Sequence, residues 1–224
     1  MEFLRAYCST YLKEEIKEEQ LIRKMEPFLK FLEVSAQSNG TIINYSKIAR
    51  DSGTDSKAVE RYFEILSDTL LGFVLLPFHH SVRKRQSQKS KFYLFDLGVK
   101  RALEHTLRVP VQEGTYAFGR AFEHFFILEC VRMNDYFRKD YRFSYLRTKD
   151  DLEIDLIIER PGEKLLLIEI KSSTTVDEIE ISRLRAIKND LEPCELWVAS
   201  RESQPRYLDF ATIFPWELIL EKLF

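Results

Sequence analysis

Three carboxylates and a lysine interrupt the most apolar stretch of this chain, and few folds accommodate charge there. The stretch reads Leu152-Glu153-Ile154-Asp155-Leu156-Ile157-Ile158, then a Pro161-Gly162 turn, then Leu165-Leu166-Leu167-Ile168-Glu169-Ile170-Lys171. Both arms are rich in Ile and Leu and have the length of strands. Their lack of clean alternation predicts a sheet covered on both faces. A charge inside such a strand costs several kcal/mol unless it is paired or holds a metal ion. A turn centred on Gly162 sets Asp155 directly opposite Glu169 and Glu153 opposite Lys171. Residues i and i+2 share a strand face, so Glu169 and Lys171 project the same way.

Facing carboxylates repel at cross-strand distance, and a divalent cation removes that objection. Mg²⁺ takes one or two carboxylates and fills its other positions with water and phosphate oxygens, and Mn²⁺ is the alternative ion. Asp155 and Glu169 are the expected metal ligands, and the main-chain carbonyl of Ile170 is a further donor. Such a site suits phosphodiester hydrolysis, because the metal acidifies bound water and neutralises charge on the scissile phosphate. Lys171 would orient or help deprotonate the attacking water, or stabilise the developing anion. Glu123 is a third candidate ligand, on a helix with Phe118, Phe122, Phe125 and Phe126 that must pack on the sheet. The competing reading is an ordinary salt-bridged cluster of Asp155, Glu169 and Lys171 at a sheet edge. Glu153 is read as a solvent-facing or secondary partner, and His124, His79 and His80 as packing or loop residues.

The chain has 224 residues, enough for one large domain or two small ones, and its 45% apolar content supports a full core. The formal net charge of −2 means that any nucleic-acid-binding surface must be local. Cys8, Cys130 and Cys194 are far apart with no CxxC pair, which argues against a disulfide framework and a zinc site and suits the cytoplasm. Glu2 and Arg5 stand where a signal peptide would need an apolar core, and the uncharged run from Leu70 to Phe78 is too short to cross a bilayer. No membrane association is expected.

Helical periodicity covers about Tyr11 to Gln37, with Pro27 opening a second helix. After Ser38-Asn39-Gly40 come a short apolar segment, a helix from Tyr45 to Asp51, a Gly53-containing turn and a helix from Ser56 to Leu70. Two helices joined in this way describe a helix-turn-helix. Strands at Gly72 to Phe78 and Lys91 to Phe95 flank a loop, His79 to Ser90, that holds no acidic residue. That is the outline of a winged helix. In it Lys57 and Arg61 on the second helix would meet DNA, while Arg83, Lys84, Arg85, Lys89 and Lys91 would neutralise phosphates. Glu60 and Glu64 on the same helix oppose this, and a winged helix can also serve protein contacts. Asp96 to Leu107 suggests another helix, and Pro110 to Gly114 the linker. The remainder reads α-β-β-β-α-β, with helices at Tyr116 to Tyr136 and Val176 to Leu191, strands at Arg142 to Arg147 and Glu195 to Ala199 around the charged hairpin, and a last helix from Trp216.

Asp155 followed by Glu169-Ile170-Lys171 on the next strand, with Glu123 on the preceding helix, resembles the PD-(D/E)xK or restriction-endonuclease-like superfamily. Ile154 stands where that motif carries proline. The ordered set NYSKIARDSG, KSKFYLFDLG, FGRAFEHFF, RTKDDLEIDLII, LIEIKSS and FPWELI is similar to the C-terminal half of a prokaryotic ATPase family, which joins an AAA-type domain to a winged helix and a nuclease-like domain. No GxxxxGK[ST] occurs, so no ATP hydrolysis is expected. The opening FLRAYCSTYLKEEI looks like the tail of the ATPase module, which implies a chain truncated relative to the family.

The resemblance implies an α/β (α+β) protein of two domains. Residues 1–110 would be a helical lead-in and winged helix-turn-helix, and residues 111–224 a nuclease-like domain with a central mixed sheet. The expected function is DNA binding with a Mg²⁺-dependent endonuclease site. The rival is a non-catalytic DNA-binding or regulatory module acting with a separate AAA-type ATPase, and a third is a plain interaction scaffold. A homodimer is implied in so far as cutting both strands often needs a second site.

Overall fold

The structure, a computed structural model, describes residues 1–12, 22, 25–79 and 89–224. The chain divides into two compact units, Met1–Val74 with Lys89–Pro110, and Leu75–Gln88 with Val111–Phe224.

The first unit is built on helices whose ends are written in the sequence. A short helix α1 (Glu2–Ala6) precedes α2 (Met25–Gln37), which starts two residues before Pro27. The proline lies in the first turn of α2, where its missing N–H has no helical partner to lose. Helix α3 (Tyr45–Ser52) begins where the Asn44 side chain accepts the Lys47 N–H at 3.0 Å, and ends on Gly53 in the left-handed region at φ 70°. Shortly after, Asp55 accepts the Ala58 N–H at 2.9 Å and starts α4 (Ser56–Asp68). Each cap satisfies an orphan helix donor, and glycine meets the left-handed exit without a β-carbon clash. Strand β1 (Gly72–Pro77), strand β2 (Lys91–Leu94) and helix α5 (Leu97–Leu103) follow. The core is a cluster of edge-on and tilted aromatic rings: Phe31 and Phe63 have centroids 4.9 Å apart, as do Phe63 and Phe92, and Phe28 meets Tyr62 at 5.1 Å. Gly40 N–H donates to the Phe92 carbonyl and Ile43 N–H to that of Ser90, so residues 40–43 run along β2. The buried Asn39 side chain accepts the Leu94 N–H at 2.7 Å and fixes that register.

In the second unit α6 (Tyr116–Phe137) is capped by Thr115, whose hydroxyl accepts the Phe118 N–H. Strands β3 (Arg142–Arg147), β4 (Glu153–Glu159) and β5 (Leu165–Ile170) form a meander. The long amphipathic helix expected after it is two short ones, α7 (Glu178–Ser182) and α8 (Leu184–Asp190). Then come β6 (Cys194–Ser200), β7 (Arg206–Tyr207), β8 (Thr212–Pro215) and α9 (Trp216–Leu223). Hydrogen-bonded neighbours run β2-β1-β3-β4-β5-β6-β8-β7, an eight-stranded mixed sheet. Pairing is antiparallel for β3–β4, β4–β5 and β7–β8, and parallel for β1–β3, β5–β6 and β6–β8.

The hairpin pairs Leu156 with Ile168, Ile157 with Leu167 and Ile158 with Leu166, the register a turn at Gly162 predicts. All six side chains are fully buried. Ile157 and Leu167 pack with Ile181, Leu184 and Ile187 of α7 and α8. Their neighbours in sequence point to the opposite face, so the sheet is covered on both sides here, as the absence of alternation implied. Helix α6 packs on β5 and on α9, and α9 on β6. Among the described residues no helix is long and apolar enough to cross a membrane.

Candidate functional site

The charged residues of the hairpin sit where its ladder ends. Beyond the Leu156–Ile168 pair, the Asp155 carboxylate takes over from the backbone, its Oδ2 accepting the Ile170 N–H at 2.8 Å. The described contact of Ile170 with Asp155 thus uses its N–H, whereas the sequence suggests a role for its carbonyl. Beyond β5 the Lys171 N–H donates to the Ala199 carbonyl at 2.8 Å, which anchors the lysine backbone to β6. Glu169 and Lys171 lie on the strand face of Leu167, the face that α7 and α8 cover.

Lys171 Nζ is 3.0 Å from Glu169 Oε1 and 2.6 Å from Glu180 Oε1. Glu180, on α7, has no sequence signal that ties it to Lys171; the link is a turn that folds α7 back over the strand end. Glu169 is 5% exposed, and its second oxygen, Oε2, is buried with no hydrogen-bond partner among the described residues. Burial pushes the Glu169 carboxyl above the ordinary carboxylate range; Lys171 and Arg183 pull it down, and Glu153 pushes it up again. Burial also works against the Lys171 ammonium, but Glu169 and Glu180 outweigh it and hold the pKa above that of a free lysine. Glu169 thus feels Lys171, Arg183 and Glu153, and Lys171 is shared between Glu169 and Glu180.

Glu123 is also withdrawn from solvent, but Arg120, one turn earlier on α6, holds its Oε2 at 2.7 Å. Among the described residues no three of His, Cys, Asp and Glu converge as a metal cage. Zinc and calcium sites draw most of their ligands from such cages, whereas Mg²⁺ is satisfied by one or two carboxylates and keeps its waters. The orphaned Glu169 oxygen, across the strands from Asp155, fits that smaller demand.

On the first unit, Lys57 and Arg61 are exposed one turn apart on α4, with Glu60 and Glu64 exposed beside them. Lys89 is exposed, while Arg83, Lys84 and Arg85 lie outside the described residues. Lys91 corrects the expectation of a phosphate contact. It is 2% exposed on a strand whose four residues are all buried, so its ammonium is withdrawn from any ligand in solution.

Residues 1–110 match the model of DUF8612, a domain of unknown function, and residues 118–219 match that of DUF4143, also a domain of unknown function. Two curated proteins, Uncharacterized protein Mb2031c of Mycobacterium bovis and Uncharacterized protein Rv2008c of Mycobacterium tuberculosis, are each 26% identical over 140 residues. The matched stretch is 62% of this chain but only 31% of either relative. Among solved structures, a chain of the refined half-complex from the tetradecameric assembly of Thermococcus gammatolerans McrB AAA+ hexamers with bound McrC is similar over 84% of this chain and 46% of that one. Its identity is 11% and its TM-score 0.33, a level of likeness that says nothing of activity.

Proposed function

We propose that the second unit is a Mg²⁺-dependent phosphodiesterase acting on DNA, and that the first unit is a winged helix that holds the DNA. The observation that carries this reading is the buried Glu169 carboxylate with one oxygen unpartnered, set across the strands from Asp155 and beside Lys171. Asp155 and Glu169 would hold the ion, with the Ile170 carbonyl as a further donor and Glu123 recruited if Arg120 releases it. When bound, Mg²⁺ or Mn²⁺ supplies a Lewis acid that neutralises charge on the scissile phosphate and acidifies water. The protein's own part is positional. The Ile170 N–H fixes the Asp155 carboxylate, and the α7–α8 layer packs on Leu167 behind the strand end. The Lys171 ammonium orients the attacking water or steadies the charge that develops on the phosphate. Lys57, Arg61 and Lys89, with Arg83, Lys84 and Arg85, supply phosphate contacts that are tolerant of sequence and sensitive to salt. A homodimer would bring a second such site to the opposite strand.

The test is nicking of supercoiled plasmid by the full chain in Mg²⁺ or Mn²⁺. Wild type should nick, and Lys171→Ala and Asp155→Asn should lose at least about a hundredfold, the scale of removing one group that acts on the transition state. Equal cleavage by Lys171→Ala and wild type would remove the assignment. One observation favours a second reading. Lys171 is held on two sides, by Glu169 and by Glu180, as a closed ion-pair set would be. With the sequence resemblance to the ATPase family, this supports a non-catalytic DNA-binding or regulatory module that works with an AAA-type ATPase. That reading predicts DNA binding without nicking in either metal.

A further inference from the structure

Past Lys171 the chain passes through Ser172 to Ser173, whose carbonyl accepts the N–H of Arg201 at 3.0 Å just beyond the end of β6. The Arg201 guanidinium lies 5.0 Å from the centre of the Phe118 ring and 2.7 Å from the Glu113 carboxylate. Phe118 and Gly119 belong to the first turn of α6, and a β-carbon on Gly119 would meet only Ser172 Oγ at 3.7 Å, an ordinary contact. Packing therefore does not require glycine at 119, yet the helix carries one; its N–H is spent on the Thr115 carbonyl at 3.1 Å, and the absent β-carbon leaves room beside the serine. Tyr116, which opens the same helix, is 81% exposed. These groups share one rim, at the carboxyl ends of the adjacent parallel strands β5 and β6, where ligands of open α/β sheets collect.

The rim combines three things a nucleic-acid strand needs: a guanidinium for phosphate, held over the Phe118 ring, a hydroxyl with space beside it at Gly119, and the exposed face of Tyr116. Glu113 is 65% exposed, so its pair with Arg201 competes with water and holds weakly. A phosphate offers the same guanidinium a bidentate partner. Stacking on Tyr116 requires a base that is not already paired.

We propose that Arg201, Ser172, Gly119 and the aromatic pair Tyr116 and Phe118 form a subsite for single-stranded DNA flanking the phosphodiester at Asp155 and Glu169. Glu113 fills the phosphate position in the free protein. The proposal rests on the reading of the second unit as a DNA-processing domain, and it names the form of the substrate. Lys171 lies one residue from Ser172, so a strand bound on this rim runs directly into the metal site.

The experiment is fluorescence anisotropy of the full chain, without divalent metal, against labelled oligothymidylate and a duplex of equal length. Wild type should prefer the single strand. Arg201→Gln should weaken binding and lower the salt slope by about 1, one phosphate contact. Tyr116→Ala should weaken single-strand binding about fivefold or more, the lower end for one base stack, and leave duplex binding unchanged. Glu113→Gln should bind more tightly than wild type, a gain that damage to the fold cannot produce. Gly119→Ala should melt higher, as helix propensity dictates, and bind less, whereas a purely structural role would move both in one direction. Single-strand affinity unchanged in Arg201→Gln and Tyr116→Ala, or unraised in Glu113→Gln, overturns the subsite. If the binding effects appear without plasmid nicking, the nuclease reading falls and the subsite stands. If wild type nicks plasmid while these variants bind single strands as it does, the subsite falls and the nuclease reading stands.

Discussion

Glu169 lies 3.0 Å from the Lys171 ammonium through one oxygen and leaves the other buried without a hydrogen bond among the described residues. An unsatisfied buried acceptor costs about 1–3 kcal/mol, more when it is charged. On the proposed function, this oxygen is kept for something other than stability. If that something is an ion, Mg²⁺ must stabilise the folded protein by mass action. At a hundredfold over its dissociation constant the gain is about 2.7 kcal/mol. For a chain of this size that corresponds to a rise of about 5–10 °C in melting temperature. We expect calorimetric melts of wild type to show the rise and melts of Glu169→Gln to lack it. A variant that responds to Mg²⁺ like wild type would place the ion elsewhere.

At the scale of elements, the β1–β2 pairing depends on a close approach at Gly72. A β-carbon there would come within 2.2 Å of Phe92 Cζ and 2.6 Å of the Tyr93 carbonyl oxygen. The ring can swing, but the backbone oxygen cannot move without breaking the register. Gly72→Ala should therefore cost about 1–3 kcal/mol, as overpacking does, read as a lower urea midpoint with an unchanged slope. The same scale shows what the sequence makes legible. Helices α3 and α4 declare themselves through Asn44, Gly53 and Asp55, since caps are local chemistry. The β4–β5 register follows from one turn and two uninterrupted apolar arms. The break between α7 and α8 is hidden, because Ile181, Leu184 and Ile187 keep helical spacing straight across it. Strands β7 and β8, two and four residues long, are too short for any period to emerge. Of the site, Asp155, Glu169 and Lys171 stand out because charge is anomalous in an oily strand. Glu180 does not, since nothing in its own neighbourhood distinguishes it from a solvent-facing helix glutamate. The burial of Lys91 is equally hidden: a lysine beside a basic segment reads as surface until its strand is seen to be enclosed on every residue.

Over the whole molecule, the proposed function gives the two units different charges in different roles, and those roles should separate in experiment. Exposed Lys57 and Arg61 on α4 would contribute point charges to the proposed phosphate surface, whereas Asp155 and Glu169 are drawn into the sheet. Replacing Lys57 and Arg61 together by Ala should lower the salt slope of duplex DNA binding by up to about 2 and leave the Mg²⁺-induced rise in melting temperature intact. Asp155→Asn should do the reverse. If removal of the two cations leaves the slope unchanged, α4 faces a protein or solvent and not DNA.

The outermost strand, β7, has only two residues, and its Arg206 is held by Glu202 at 2.8 Å and by Glu178 at 2.9 Å. A border this brief, staked down by a guanidinium between two acids, gives a foreign strand almost no row of amides to zip onto. The sheet's far margin is thus guarded against runaway stacking of copies, which would otherwise threaten a hairpin as greasy as the one it protects.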